Sequence, residues 1–173
     1  MRKILLLALI LLFQGKAIAR NDGRHPFDEN YLESCTSITV GKKASSDGSV
    51  MTSHTCDSNF RTWLSLEKER AFAIGEKDTI LWGTLHTEER FDKREIERRG
   101  VIPAPDSPTF KYLNVAYPCM NEKQLAIGET TTEGRQELRR NDGMFLIEEL
   151  ERIALQRCST AREAVKLMCS LAE

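Results

Sequence analysis

The sequence predicts an α+β fold, and two observations carry that prediction. The first part of the chain holds short segments rich in β-branched residues between turn signals, and the clearest pair, residues 36–40 and 49–55, flanks Asp47-Gly48 as a hairpin. The last part holds two helical patterns, one beginning near Met144 and one near Thr160. Strands followed by paired helices are typical of the α+β class.

Size and composition indicate one soluble globular domain. The chain has 173 residues, of which 40% are hydrophobic and 29% are charged, and its net charge is −1. Such a length can bury a real core. A balanced charge gives no reason to expect a nucleic acid or a membrane surface as partner.

The first 19 residues have the layout of a secretory signal. Arg2 and Lys3 precede an apolar run at residues 4–13, and Ala17-Ile18-Ala19 supplies a signal-peptidase pattern. The run is shorter than the roughly 20 residues that span a bilayer. We therefore expect cleavage after Ala19 and a secreted or periplasmic protein without stable membrane association, and an uncut N-terminal anchor is the alternative.

After the signal, the sequence predicts a polar connector or propeptide at residues 20–34 and an ordered domain over residues 35–173. Further strands are expected in the middle of this domain, at residues 60–66, 70–74 and 80–85. The charged stretch 88–99 is expected to be a solvated helix or loop face. Three prolines then indicate an irregular crossing: Pro103, Pro105 and Pro108.

A second hairpin and two helices complete the predicted elements. Residues 112–117 and 124–130 are expected to be strands joined by a turn at residues 120–123. The first helix is expected over residues 144–156, capped by Asp142, with its apolar face formed by Phe145, Leu146, Leu150, Ile153 and Ala154. Thr160 and Glu163 match a capping box that opens the second helix.

Five cysteines are present, an odd number that leaves at least one unpaired in an exported protein: Cys35, Cys56, Cys119, Cys158 and Cys169. The sequence leaves the pairing of the other four open. It contains no CxxC motif, and its three histidines are scattered, so we expect no metal site.

Cys35 is the cysteine best placed for chemistry. A cysteine nucleophile needs a base, and no cysteine here has the local signature of a papain-like site. Its own α-amine can be that base, because a free α-amine has a pKa near 8, but this requires a cut directly before the cysteine. Cys35 lies at the junction between the polar connector and the first predicted strand.

Two blocks around this cysteine resemble a known family. The first is Cys35-Thr36-Ser37-Ile38-Thr39-Val40-Gly41-Lys42, followed by Asp47-Gly48-Ser49 and Asp57. The second is Met120-Asn121-Glu122, followed by Leu125-Ala126-Ile127-Gly128-Glu129-Thr130-Thr131. Together they are similar to the cysteine-nucleophile dipeptidases, the family of the lactobacillal dipeptidase PepD and the secernins, from Cys35 to the C-terminus.

The resemblance implies a fold, a substrate and three site residues. The fold would be the N-terminal-nucleophile (Ntn) hydrolase type, with stacked antiparallel sheets between helix layers (αββα). Cys35 would be the nucleophile, Asp57 would hold its freed amine, and Asn121 would help form the oxyanion hole. The substrate would be a dipeptide or short peptide, and no cofactor would be needed.

Family members are longer, and the second predicted helix reaches Glu173 without a stop signal. We therefore expect the chain to correspond to the N-terminal part of such an enzyme, with further site residues beyond Glu173. Two alternatives stay open: an N-acyl amide hydrolase of the penicillin V acylase type, and a truncated, non-catalytic remnant or peptide-binding domain. The sequence does not indicate an oligomeric state.

Overall fold

The computed structural model describes residues 35–55, 63–82, 97–130, 135, 137 and 142–173. The predicted signal and connector, and Asp57, lie outside these described residues. Seven strands and two helices are present within them: β1 Ser37–Val40, β2 Met51–His54, β3 Ser65–Glu67, β4 Lys77–Trp82, β5 Glu97–Pro103, β6 Tyr112–Asn114, β7 Pro118–Asn121, α1 Ile147–Arg157 and α2 Ala161–Ala172. The α+β class is confirmed at this level, as small antiparallel sheets followed by a helix pair.

The first predicted hairpin is confirmed. Strands β1 and β2 pair antiparallel, with Ser37 opposite His54 and Val40 opposite Met51. The connecting loop is closed by the Asp47 carboxylate, which accepts a 3.0 Å hydrogen bond from the Ser49 amide. Gly48 follows with φ +74°, a conformation that glycine adopts without steric cost. Local turn chemistry thus sets this hairpin.

Strand β5 corrects the expectation for the charged stretch. Residues 88–96 lie outside the described part, but Glu97–Arg99 belong to β5, which pairs antiparallel with β4. The Arg99 guanidinium lies 3.6 Å from the centroid of the Trp82 ring on β4. An arginine can lie against a sheet when its guanidinium stacks on an aromatic ring. The high charge of this stretch therefore did not prevent residues 97–99 from forming a strand.

The predictions for residues 60–85 are partly confirmed. Strand β3 falls at the end of the predicted 60–66 segment, and β4 overlaps the predicted 80–85 segment but begins at Lys77. The strand predicted over 70–74 is wrong. There the Glu76 carboxylate accepts hydrogen bonds from the Ala73 amide and from Arg70, and Gly75 has φ +78°, so the chain turns instead of extending.

The second predicted hairpin is correct in its first strand only. Strand β6 pairs with β7, and β7 includes Met120 and Asn121, the first half of the predicted turn. The chain reverses earlier, where the Val115 amide bonds to the Tyr117 carbonyl at 3.1 Å. Residues 124–130 carry one isolated bridge, Met120 to Ala126. Pro118 can begin a strand because its missing amide is not needed at that position.

Both predicted helices are present, but the start of the first is shifted, and the prediction that Asp142 caps it is wrong. Helix α1 begins at Ile147, three residues later than expected, and its N-cap is Leu146, which makes no capping bond through its side chain. The Met144 carbonyl instead accepts a 3.2 Å hydrogen bond from the Trp82 indole, which ties this segment to β4. Helix α2 has the predicted capping box of Thr160 and Glu163.

Helix α1 joins two buried apolar clusters. One contains Tyr112, Leu125, Ala154, Leu155, Cys158 and Ala164. The other contains Ile80, Ile102 and Ile153. The predicted apolar face is confirmed for Ile153 and Ala154, which are fully buried. Of the helices described, none is long and apolar enough to cross a membrane.

Candidate functional site

Cys35 lies two residues before β1, beyond the last pair of the β1–β2 ladder. The residue after it is paired on both sides: the Thr36 amide donates to Thr55 Oγ1 at 3.1 Å, and the Thr55 amide donates to the Thr36 carbonyl at 2.9 Å. Cys35 itself is half-buried and has a free thiol. The last ladder pair therefore fixes the backbone next to the candidate nucleophile.

One face of the hairpin contacts the segment that follows β7. Ser37 Oγ donates to the Glu129 carbonyl at 3.5 Å and shares a hydrogen bond with Thr130 Oγ1. His54, opposite Ser37, lies so close to Gly128 that a Cβ there would sit 3.0 Å from Nδ1. Cys35 lies two residues before Ser37, outside β1. The two sequence blocks that carry the family resemblance therefore meet here.

Asn121 lies elsewhere, at the end of β7, and its buried side chain makes four hydrogen bonds. Its amide nitrogen donates to the Leu155 carbonyl at 2.7 Å and to the Cys158 carbonyl at 2.8 Å, at the C-terminal end of α1. Its amide oxygen accepts from the Lys123 and Leu125 amides at 3.0 and 3.1 Å. An asparagine side chain has two N–H donors, and here both are used by the helix.

The structure does not bring Asn121 and Cys35 into contact. Asn121 bonds to Leu125 at one end of the segment that follows β7, whereas β1 contacts Glu129 and Thr130 at its other end. The sequence predicted Asn121 from its family block and gave no sign of its bonds to α1, because these join residues more than thirty positions apart.

Two other cysteines of the described part, Cys119 and Cys158, have thiols with shifted pKa values. Burial raises the pKa of the Cys119 thiol, and it likewise raises the pKa of the Cys158 thiol. A raised pKa favours the neutral thiol, which is a poor nucleophile. Cys169 is exposed on α2, and Cys56 lies outside the described residues.

Sequence reasoning missed a group of buried charges around α1. Asp78 on β4 forms an ion pair with Arg157 at 2.9 Å and lies 3.6 Å from Arg152. Arg152 in turn forms an ion pair with Glu149 at 2.8 Å. The i,i+3 spacing of Glu149 and Arg152 was the available sign of an ion pair. It could not show that the pair is buried. The described residues contain no group of three or more His, Cys, Asp or Glu side chains able to hold a metal ion.

Comparisons with known proteins return nothing for this chain: no family model, no curated protein and no solved structure matches it.

Proposed function

We propose that this chain is the precursor of an exported cysteine dipeptidase of the Ntn-hydrolase type. The observation that supports the proposal best is the contact between Ser37 and the Glu129–Thr130 segment. It joins residues 92 and 93 positions apart in the sequence, which belong to the two blocks that together resemble this enzyme family.

The proposed precursor is activated by proteolysis. Signal peptidase cuts after Ala19, and a second cut, which we expect to be autocatalytic, breaks the peptide bond between Ser34 and Cys35. The second cut creates the α-amine that the chemistry needs. Before it, the nitrogen of Cys35 is an amide and cannot accept a proton from the thiol, so the precursor is latent.

In the proposed mechanism the α-amine of Cys35 takes the thiol proton, and the sulfur attacks the scissile carbonyl carbon. The tetrahedral adduct collapses to a thioester as the substrate's amine leaves with that proton. Water, deprotonated by the same α-amine, then attacks the thioester; the acid product leaves and the thiol is restored. Each proton removed from an attacking group is returned to a leaving group, so no cofactor is required.

Two further residues enter the proposal with the roles that the resemblance implies. Asp57 orients the freed amine. Asn121 donates an N–H to the oxyanion, which is typically worth about 10²–10³ in rate. Because both of its N–H groups bond to α1, this role requires that one of those bonds opens and that Asn121 comes close to Cys35 in the mature enzyme.

The stacked αββα arrangement also belongs to the proposal. The antiparallel pairing of all seven strands and the adjacent pair α1 and α2 support it, since both are components of such a fold.

Single-cysteine variants test the nucleophile. In protein purified after signal cleavage, Cys35→Ala should abolish dipeptide hydrolysis, and the matched Cys169→Ala, at an exposed free thiol on α2, should leave it unchanged. Circular dichroism of both variants confirms that each is folded. Full activity in Cys35→Ala would refute the mechanism, and so would hydrolysis by protein that still carries Arg20 at its N-terminus.

The substrate class is tested on the same preparations. Unblocked dipeptides should be cleaved much faster than N-acylated amino acids, because the proposed enzyme acts on dipeptides. The opposite preference would indicate an N-acyl amide hydrolase. Peptide binding without turnover would indicate a binding domain.

A further inference from the structure

Glu151 is a buried carboxyl in the middle of α1, the helix that packs on β7. It is 1% exposed. The charged and titratable groups whose electrostatic influence reaches it come from three places: Glu148 on its own helix, Glu129 in the segment after β7, and Cys119 on β7 itself. Within the described residues, none of these groups is a cation.

Two other buried acids of this region, Glu149 and Asp78, are surrounded differently. Glu149, two positions away, binds Arg152, and Asp78 binds Arg157 and lies close to Arg152. Arg152 also donates to Gln156. Arg152 is therefore engaged by Glu149, Gln156 and Asp78, and Arg157 is engaged by Asp78. In contrast, Glu151 Oε2 is buried and has no hydrogen-bond partner among the described residues.

Elementary electrostatics decides the charge of such a group. Burying an ionised carboxylate without a cation costs far more than burying the neutral acid, so the group keeps its proton. Burial is accordingly the main cause that raises the pKa of Glu151 to about 8, and the repulsion from Glu129 and then Glu148 adds to it.

We propose that Glu151 is a proton-operated latch between α1 and β7: the packed interface holds it as a neutral acid, and loss of its proton to solvent loosens the packing. The latch is a property of the fold and does not depend on the proposed catalytic activity. Because Glu129 belongs to the segment that Ser37 contacts, loosening at Glu151 also reaches the β1–β2 hairpin.

The sign of the pH dependence follows from proton linkage. Glu151 has an ordinary pKa of 4.5 when unfolded and about 8 when folded, so between these values the folded state binds one more proton than the unfolded state. The folding equilibrium constant should therefore fall up to about tenfold per pH unit in this window, with the full stabilisation present below it and none left above it.

Cys119 is a built-in reporter of the latch. It lies on β7, half-buried, and its Sγ donates to the Leu113 carbonyl at 3.4 Å. Opening of the α1–β7 interface should expose this thiol to alkylation. The direct effect of an ionised Glu151 is the opposite, because a nearby negative charge raises the pKa of Cys119 and slows its reaction.

The test is alkylation of the full chain with iodoacetamide at pH 7 and pH 9, read by peptide mass spectrometry. The Cys119 rate is divided by the rate of exposed Cys169 on α2, which corrects for reagent and general thiol ionisation. In the wild type the ratio should rise about five- to tenfold, since the ionised fraction of Glu151 rises from about one tenth to about nine tenths. In Glu151→Gln the ratio should change less than about twofold.

Matched variants separate the outcomes. Glu69→Gln makes the same chemical change at an exposed site and should behave as the wild type. If Glu151→Gln does not fold, Glu151→Leu removes the acid and fills the apolar space, and should show the same flat ratio. An equal rise with pH in the wild type and in the folded Glu151 variant would overturn the proposal, as would a flat ratio in the wild type.

Discussion

The β1–β2 hairpin exposes most of its large apolar side chains, whereas the α1–β7 region buries several of its own. In the hairpin, Ile38 is 62% exposed and Met51 is 51% exposed, and the strands are held by their own ladder and by Ser37. In the α1–β7 region, Ile153 is fully buried, and two of the four hydrogen bonds of the Asn121 side chain join β7 to the helix. The candidate nucleophile Cys35 thus lies next to the exposed hairpin, away from the buried α1–β7 region.

The same difference sets how tolerant each region should be to substitution. Loss of a buried partner leaves a charge or polar group without compensation, and it costs much more than loss of an exposed contact. The four predictions below test this difference, in order of expected effect.

The largest effect is expected for Asp78→Ala. It removes the common carboxylate from Arg157 and Arg152, whose side chains are largely buried. Breaking a buried ion pair by deleting one partner typically costs about 3–5 kcal/mol. Urea unfolding measures the loss, and exposed Asp106→Ala is the control. A cost below about 1 kcal/mol would mean that the arginines are stabilised by other groups.

Asn121→Ala should follow, with a loss of about 2–4 kcal/mol in the free energy of unfolding. Two carbonyls of α1 and two amides of the β7 turn lose their partner, and buried polar groups left unpaired cost about 1–3 kcal/mol each before local relaxation. Exposed Ser53→Ala on β2 should change stability little.

The same Asn121 variant tests its proposed catalytic role. Dipeptide turnover is measured per folded molecule, at a temperature where the variant is still native. A fall in kcat of about 10²-fold or more supports the oxyanion role. Unchanged kcat with reduced stability would show that Asn121 only anchors β7 to α1.

A smaller effect is expected at the start of α2. Thr160→Ala removes the hydroxyl that accepts from the Glu163 amide at 3.3 Å, and loss of such a cap costs typically about 1 kcal/mol. Ser159→Ala changes the neighbouring exposed hydroxyl and should be close to neutral. Thermal unfolding of both variants checks the difference, and equal shifts in Tm would contradict it.

The most direct comparison uses one substitution in both regions. Ile153→Val removes a methyl group from the buried cluster and should cost about 0.5–1.5 kcal/mol. Ile38→Val removes the same group from the exposed hairpin and should change stability by less than about 0.5 kcal/mol. Urea unfolding of the pair gives both values. Equal costs would mean that the hairpin face is covered in solution.

Local signals account for the elements that the sequence predicted well. The β1–β2 hairpin depends on Asp47 and Gly48 in its loop, and the start of α2 depends on Thr160 and Glu163. In each case the residues that decide the structure are neighbours in the chain, so their types and spacing are sufficient.

Long-range contacts account for the elements that the sequence did not predict. Strand β5 depends on the stacking of Arg99 on Trp82, and the late start of α1 depends on the bond between Trp82 and the Met144 carbonyl. For the candidate site, the sequence identified Cys35 by position. It could not identify the Ser37–Thr130 contact or the burial of Glu151, because both depend on which elements pack together.

The central proposal is that Cys35, freed at its N-terminus, carries the acyl group during dipeptide hydrolysis. Its most direct test is acid quenching of processed enzyme during turnover of a dipeptide, followed by mass spectrometry of the N-terminal peptide. We predict a peptide that begins at Cys35 and carries the mass of the substrate's acyl half on its sulfur. Turnover by protein whose residues 20–34 are still attached, or an acyl group found only on another residue, would contradict the proposal.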